Sequence, residues 1–157
     1  MRLTDILQPE VVKVFLDATN KKQAICELVD LLSDHAGIEN REELKKAVWE
    51  REQTRTTGIG HGIGIPHGKS TGVEQLCMAI GKPKEPIEFG SIDGRPVDLV
   101  ILLASPMDQT GPHIQALAKI SRVLTDEEFR HALRQCQSAE QLYQLILDHE
   151  AQAAAKA

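Results

Sequence analysis

Aromatic residues are scarce, at 3% of 157 residues, with three Phe, one Tyr and one Trp. Proteins that hold single-stranded nucleic acid use aromatic platforms, and duplex binders carry a basic face. No dense Lys/Arg run occurs here, and 18 Lys+Arg against 23 Asp+Glu give a formal charge of −5. Both absences argue against a general nucleic-acid binder. Cysteine is also rare: Cys26, Cys77 and Cys136 are odd in number, far apart and form no C-x-x-C pair. That excludes a disulfide framework and a structural zinc site. The three are expected as small core or subsurface residues in a reducing compartment. No stretch approaches the roughly 18 apolar residues of a membrane helix. Met1 to Gln8 lacks a basic region followed by an apolar core, so it does not read as a signal peptide. A cytoplasmic location is expected.

What remains is ordinary for a globular protein, with 41% hydrophobic and 26% charged residues. The length suits one domain, and a chain near 150 residues buries about 68–70% of its unfolded surface. No linker, repeat or low-complexity stretch interrupts it. The domain is expected to span residues 1–150, with 151–157, rich in alanine, as a flexible tail.

Along the chain, Val11, Val12, Val14 and Leu16 read as a strand. Asn20 with Gln23, and Asn40 with Glu43, are helix starts of the capping-box type, and Gly37 is a stop. Leu44, Ala47, Val48 and Arg51 follow on the second helix. From Thr56 to Gly68 the chain is dense in glycine, with Ile59, Ile63 and Ile65 between the glycines, and reads as extended. Gln75 to Ile80 is a further strand. V-D-L-V-I-L-L-A (97–104) is a continuous apolar run that predicts a strand buried on both faces. Gly111-Pro112 opens a helix whose buried stripe is expected at Ile114, Leu117, Ile120 and Leu124. Thr125 with Glu128 and Ser138 with Gln141 start the last two helices. Helices before and after a block of strands predict an α/β fold, a sheet covered by helices.

Six histidines occur, and their settings differ. His35, His131 and His149 fall in helices among charged neighbours and read as solvated or helix-end charges. His67 lies between Pro66 and Gly68, at the end of the glycine segment. Proline sets the approach of the chain and glycine admits close backbone contact, so the imidazole can be pinned with one nitrogen exposed. A nucleophilic histidine needs that arrangement, and a turn histidine produces the same residues. His113 lies just inside the helix opened by Gly111-Pro112, where free N–H groups favour an anion. Arg51 precedes the glycine segment and offers the planar fork that holds phosphate or carboxylate. These three form a candidate phosphoryl site if the fold brings them together.

Other chemistries fit less well. A metal site from His61, His67 and His113 lacks H-E-x-x-H or an i, i+4 pair. Gly58, Gly60, Gly62 and Gly64 alternate strictly and match neither G-x-G-x-x-G nor G-x-x-x-x-G-K-[ST]. No G-x-S-x-G elbow is present for a serine hydrolase.

Three segments together carry a family pattern: T-T-G-I-G-H-G-I-G-I-P-H-G-K (56–69), P-V-D-L-V-I-L-L-A-S-P (96–106) and D-Q-T-G-P-H-I-Q-A-L-A-K-I-S-R (108–122). The chain resembles the enzyme IIA domain of the fructose/mannitol/nitrogen-regulatory type in the bacterial phosphoenolpyruvate-dependent phosphotransferase system. The similarity runs from about Leu3 to Asp148. It resembles the stand-alone nitrogen-regulatory members more than the fused fructose ones. The resemblance implies a single-domain fold in which a mixed sheet is sandwiched between helices. It implies His67 as phosphoryl acceptor through its outer ring nitrogen, with His113 and Arg51 stabilising the phosphate. It implies a donor, the phosphocarrier protein HPr or its nitrogen-branch counterpart NPr. Transfer between two imidazoles calls for no cofactor and no metal ion. His61 departs from the pattern, since relatives carry a small polar residue such as Asn there.

The resemblance leaves two outputs: regulation of other proteins by phosphorylation state, which the lone-domain character favours, or delivery of phosphate to a IIB domain of a sugar permease. The chain contains no IIB cysteine motif. An interaction module that is never phosphorylated is a third reading, disfavoured by the presence of all three site residues. Ile63, Ile65 and Met107 are the expected apolar docking residues near the motif.

Overall fold

Asn20 and Asn40 do what short polar side chains do at helix starts: their Oδ1 atoms accept from the backbone N–H of Gln23 (2.9 Å) and Glu43 (3.2 Å). They open α1 (Lys21–Ala36) and α2 (Arg41–Thr54), and Gly37, at φ 65°, stops α1 in the left-handed region. Gln23 does not close its box on Asn20. Its side chain accepts from the N–H and hydroxyl of Thr19, one residue earlier. The computed structural model describes residues 1–156, and these contain six strands and five α-helices. The strands are β1 (Val12–Leu16), β2 (Gly58–Gly60), β3 (Ile63–Gly64), β4 (His67–Lys69), β5 (Cys77–Pro83) and β6 (Leu99–Ser105). After them come α3 (Thr110–Val123), α4 (Glu127–Gln135) and α5 (Ala139–Lys156).

The sheet is mixed, in the order β1-β5-β6-β3-β2, with β4 also paired to β6. Every residue of β6 is buried, as its unbroken apolar sequence requires. One edge of β6 runs antiparallel to β5, and the other takes β3 and then β4, both parallel. Leu99 and Ile101 of β6, with Met78 and Ile80 of β5, pack on Ile120, Phe129, Leu133, Leu142 and Ile146 of α3, α4 and α5. The alternate residues of β6 point the other way, where α1 packs on β5 and β6 and α2 packs on β4. The expected sandwich of a mixed sheet between helices is therefore the observed fold.

Four expectations need correction. The buried stripe of α3 is His113, Ala116, Ile120 and Val123, and Ile114 is 60% exposed. Ile120 and Leu124 are buried as expected, while at the start of the helix His113 takes the inward place and bonds Ser105. Ile63 and Ile65 are core residues, and of the three docking candidates only Met107 is exposed. The cap of α4 is Asp126, whose carboxylate accepts from the N–H of Phe129, and not Thr125. His149 is half-buried, its ring 4.1 Å from that of Phe129 and its Nε2 3.5 Å from Asp126, so it is not a solvated charge. Of the segment expected as a tail, residues 151–156 continue α5, as alanine's helix preference allows, and Ala157 lies outside the described residues. The three cysteines are free, and burial pushes the Cys77 thiol up to about 12, which keeps it protonated.

Lys82 was not legible as structural. It is buried inside β5, and its ammonium donates to the carbonyls of Leu133 (3.2 Å), Arg134 (2.7 Å) and Cys136 (2.8 Å). It satisfies the orphan carbonyls that end α4 and meets the negative end of the helix dipole.

Gly68 sets the distance between α2 and β4. A Cβ there would lie 2.9 Å from Cγ2 and 3.1 Å from the backbone nitrogen of Val48. Because backbone cannot yield, Gly68→Ala is expected to push α2 away and cost about 1–3 kcal/mol, the usual range for overpacking. Urea denaturation monitored by circular dichroism checks it; unchanged stability contradicts the close packing described.

Candidate functional site

The site begins with Pro66. Proline has no N–H, so it interrupts the ladder that β3 and β4 make along β6. The Pro66 carbonyl still accepts from Leu103 N–H (3.1 Å), but that of Ile65 is turned to the imidazole of His67, 2.8 Å from Nδ1. A carbonyl only accepts, so Nδ1 carries the proton and Nε2 is left with its lone pair. Nε2 makes no hydrogen bond among the described residues and is not sealed from solvent. The parallel register places His67 opposite Leu103 and Lys69 opposite Ser105.

His113 enters from the first turn of α3. Its ring lies 5.3 Å from that of His67, centroid to centroid, tilted by 59°. Its Nδ1 is 2.6 Å from the hydroxyl of Ser105, at the end of β6. Lys69 fastens the same turn to β4 by donating to the Thr110 hydroxyl (2.8 Å). Gln109, the N-cap residue, makes no side-chain cap, so the N–H groups of the first turn have no partner from it.

Arg51 closes α2 and lines a cavity of about 300 Å3 together with His67, Thr57, Ile59, Ile92 and Leu117. Its guanidinium donates to the carbonyl of Arg55 (2.9 Å) and forms no ion pair among the described residues. Lys69 is likewise without a carboxylate partner there. Two cations without carboxylate partners among the described residues thus act on His67, opposed in part by Glu52. The neighbouring Glu52 is occupied otherwise. It is buried, it pairs with Lys21 (2.9 Å), and it accepts from the N–H (2.8 Å) and hydroxyl of Thr57. That pins the start of β2 to the end of α2.

The fold therefore brings His67 and His113 together and sets Arg51 on the same cavity as His67. His61 is placed elsewhere. It sits in an exposed turn at φ 58°, its N–H on Asp93 Oδ2 (2.9 Å) and its carbonyl on the Arg134 guanidinium. A left-handed residue at that turn is the physical reason Asn suits the position. Among the described residues no cluster of three metal-ligating side chains occurs. Sequence reasoning missed Ser105, Glu52 and Lys69 as parts of the site. Lys69 stood in the G-K of the quoted segment, whereas nothing local marked Ser105, whose role depends on a helix eight residues later.

Burial holds both imidazoles below the ordinary histidine value of 6.5. For His67 burial is the largest cause, opposed by the Ile65 hydrogen bond and assisted by Arg51. For His113, burial and then the charges of His67 and Lys69 lower it to about 4. Both rings are neutral at pH 7, which leaves His67 nucleophilic. A titration followed by the imidazole proton resonances is expected to place both midpoints below 6.5, with His113 near 4. The unfolded chain takes up these protons first as pH falls. The stability linked to the two rings is complete above 6.5 and is lost as pH falls toward 4.

The site thus sets a hydrogen-bonded imidazole with a free nitrogen beside a second imidazole, with a guanidinium on the same cavity. Residues 5–149 match the family described as "Phosphoenolpyruvate-dependent sugar phosphotransferase system, EIIA 2". A nitrogen regulatory protein of Bradyrhizobium diazoefficiens is 36% identical over 146 residues, covering 93% of this chain and 95% of that protein. The fructose-specific EIIABC component of Bacillus subtilis is 31% identical over 150 residues, covering 96% of this chain but 24% of that longer protein. The crystal structure of the nitrogen regulatory protein IIA-Ntr from Neisseria meningitidis superposes with a TM-score of 0.82 at 29% identity, covering 90% of this chain and 97% of that one. The chain belongs to the EIIA 2 family of the phosphotransferase system.

Proposed function

We propose that this protein is a phosphohistidine carrier that accepts a phosphoryl group on Nε2 of His67 from a small phosphocarrier protein, HPr or NPr. The observation that carries the reading is the His67–Ile65 hydrogen bond of 2.8 Å, which leaves Nε2 as the free nucleophilic nitrogen next to a second neutral imidazole. Family membership supports it, since the EIIA components are phosphotransferase components.

In the transfer, the lone pair of His67 Nε2 forms a bond to phosphorus as the bond to the donor's imidazole nitrogen breaks. The donor ring, protonated on its other nitrogen, keeps that electron pair and leaves as neutral imidazole. The Nδ1 proton of His67 stays in place, and the Ile65 carbonyl stabilises the positive charge that grows on the ring. The transition state is loose, with charge spread over three equatorial oxygens. Arg51, Nε2–H of His113 and the first-turn N–H groups of α3 are the donors that stabilise it. Ile59, Ile92, Met107 and Ile114, exposed by 38%, 73%, 56% and 60%, supply apolar surface for a transient protein contact.

The proposed output is regulatory, with the phosphorylation state controlling binding to other cytoplasmic proteins. The names of its near-full-length relatives support this. Delivery of phosphate to a IIB domain is the second reading, supported by the fructose-specific relative.

Incubation with phosphoenolpyruvate, enzyme I and either HPr or NPr, read by intact mass, is expected to add one acid-labile phosphoryl group. His67→Ala is expected to add none. His113→Ala is expected to slow uptake by about 10²–10³, the loss from removing one strong transition-state donor. Phosphorylation of His67→Ala by the carrier overturns the assignment. The faster of the two donors decides between the two outputs.

A further inference from the structure

We propose that Ser105 is a positioning residue for phosphoryl transfer: its hydroxyl donates to Nδ1 of His113 and so keeps the proton of that ring on Nε2. The inference rests on the reading of His67 as the phosphoryl acceptor.

Ser105 is 0% exposed, and its hydroxyl lies 2.6 Å from His113 Nδ1. Among the described residues that nitrogen is the hydroxyl's sole hydrogen-bond partner. A buried hydroxyl hydrogen without an acceptor is costly. If Nδ1 carried the ring proton, Ser105 could only accept, and its own hydrogen would point at no acceptor. With the hydroxyl donating, both groups are satisfied and the proton of the neutral ring falls on Nε2. Nε2 of His113 bonds to nothing among the described residues and is not sealed from solvent.

The consequence is chemical. Because burial keeps His113 uncharged at neutral pH, it donates from one nitrogen only. In the Nε2–H form it offers that hydrogen to a phosphoryl oxygen beside His67. In the other form it presents a lone pair to those oxygens and repels them. The backbone of Ser105 is held on the β4 side. It pairs with Lys69 in the β4–β6 register, and its carbonyl accepts from Ser70 N–H (3.1 Å). The strand that orders His67 therefore also orders the tautomer of the second histidine.

The test uses the full chain and Ser105→Ala, with Ser105→Cys as a near-isosteric weak donor. Nitrogen-15 NMR of the imidazoles at pH 7.5 reads the tautomer without any phosphate donor. Wild-type protein is expected to hold His113 as Nε2–H, and Ser105→Ala to show a mixture. The rate of phosphoryl uptake is expected to fall by about 10–10²-fold in Ser105→Ala, part of the loss from deleting a transition-state donor. KM for the donor is expected to stay unchanged, since Ser105 has no exposed surface to touch it. Ser105→Cys is expected to recover part of the rate. An Nδ1–H tautomer in wild type overturns the proposal, as does a Ser105→Ala variant that keeps Nε2–H, whatever its rate. No uptake by wild type overturns the phosphocarrier reading and the transfer role with it. Uptake by wild type at the same rate as Ser105→Ala overturns this proposal alone.

Discussion

The burial of β6 on both faces and along both edges is the constraint from which the site follows. A strand with no solvent-facing residue has no freedom of register, because a slip by one residue would turn each side chain to the opposite layer. Its register with β4 places His67 opposite Leu103 and Lys69 opposite Ser105. Its last residue, Ser105, then reaches the first turn of α3 and draws His113 inward. The one break along that edge, at Pro66, releases the carbonyl of Ile65 to the ring of His67. Two imidazoles are thus oriented by hydrogen bonds from groups held on the sheet, Ile65 between β3 and β4 and Ser105 at the end of β6, which is more precise than placement on free loops.

Electrostatics complete what packing begins. Burial holds both rings neutral, while Arg51 and Lys69 remain without carboxylate partners beside them. Two cations without carboxylate partners beside a neutral imidazole favour an anionic group arriving from outside. Glu52, one residue from Arg51, opposes this field only in part. Its carboxylate is spent on Lys21 and Thr57 and serves to tie α2 to β2. Similar reasoning separates His61 from the site. Its backbone conformation and its contacts with Asp93 and Arg134 serve the turn between β2 and β3.

Much of the fold was legible because its signals are local. Asn20, Asn40, Gly37 and the apolar run 97–104 each name their element by chemistry that acts within four residues. The errors fall where a distant partner decides. Ile114 satisfied the helical spacing as well as Ala116 or Val123, yet the buried face is the one that packs Ala116, Ile120 and Val123 on the core and brings His113 to Ser105. Lys82 lies beyond the strand expected at Gln75 to Ile80, and nothing local shows that the carbonyl end of α4 is packed against it. The β-branched pattern alone could not show that Ile63 and Ile65 lie in the core while Ile59 faces out.

The amino-acid sequence by itself determined the elements, the sheet strand buried on both faces, and the candidate site residues His67, His113 and Arg51. It did so because caps, glycine, proline and apolar periodicity act over a few residues. Only the tertiary structure decided that His67 and His113 meet at 5.3 Å, which nitrogen of His67 is free, and that Ser105 stands behind His113. Those facts depend on the register of β4 against β6 and on the entry of α3. Both are set by how the helices and the sheet share one core, which no segment of the chain contains alone.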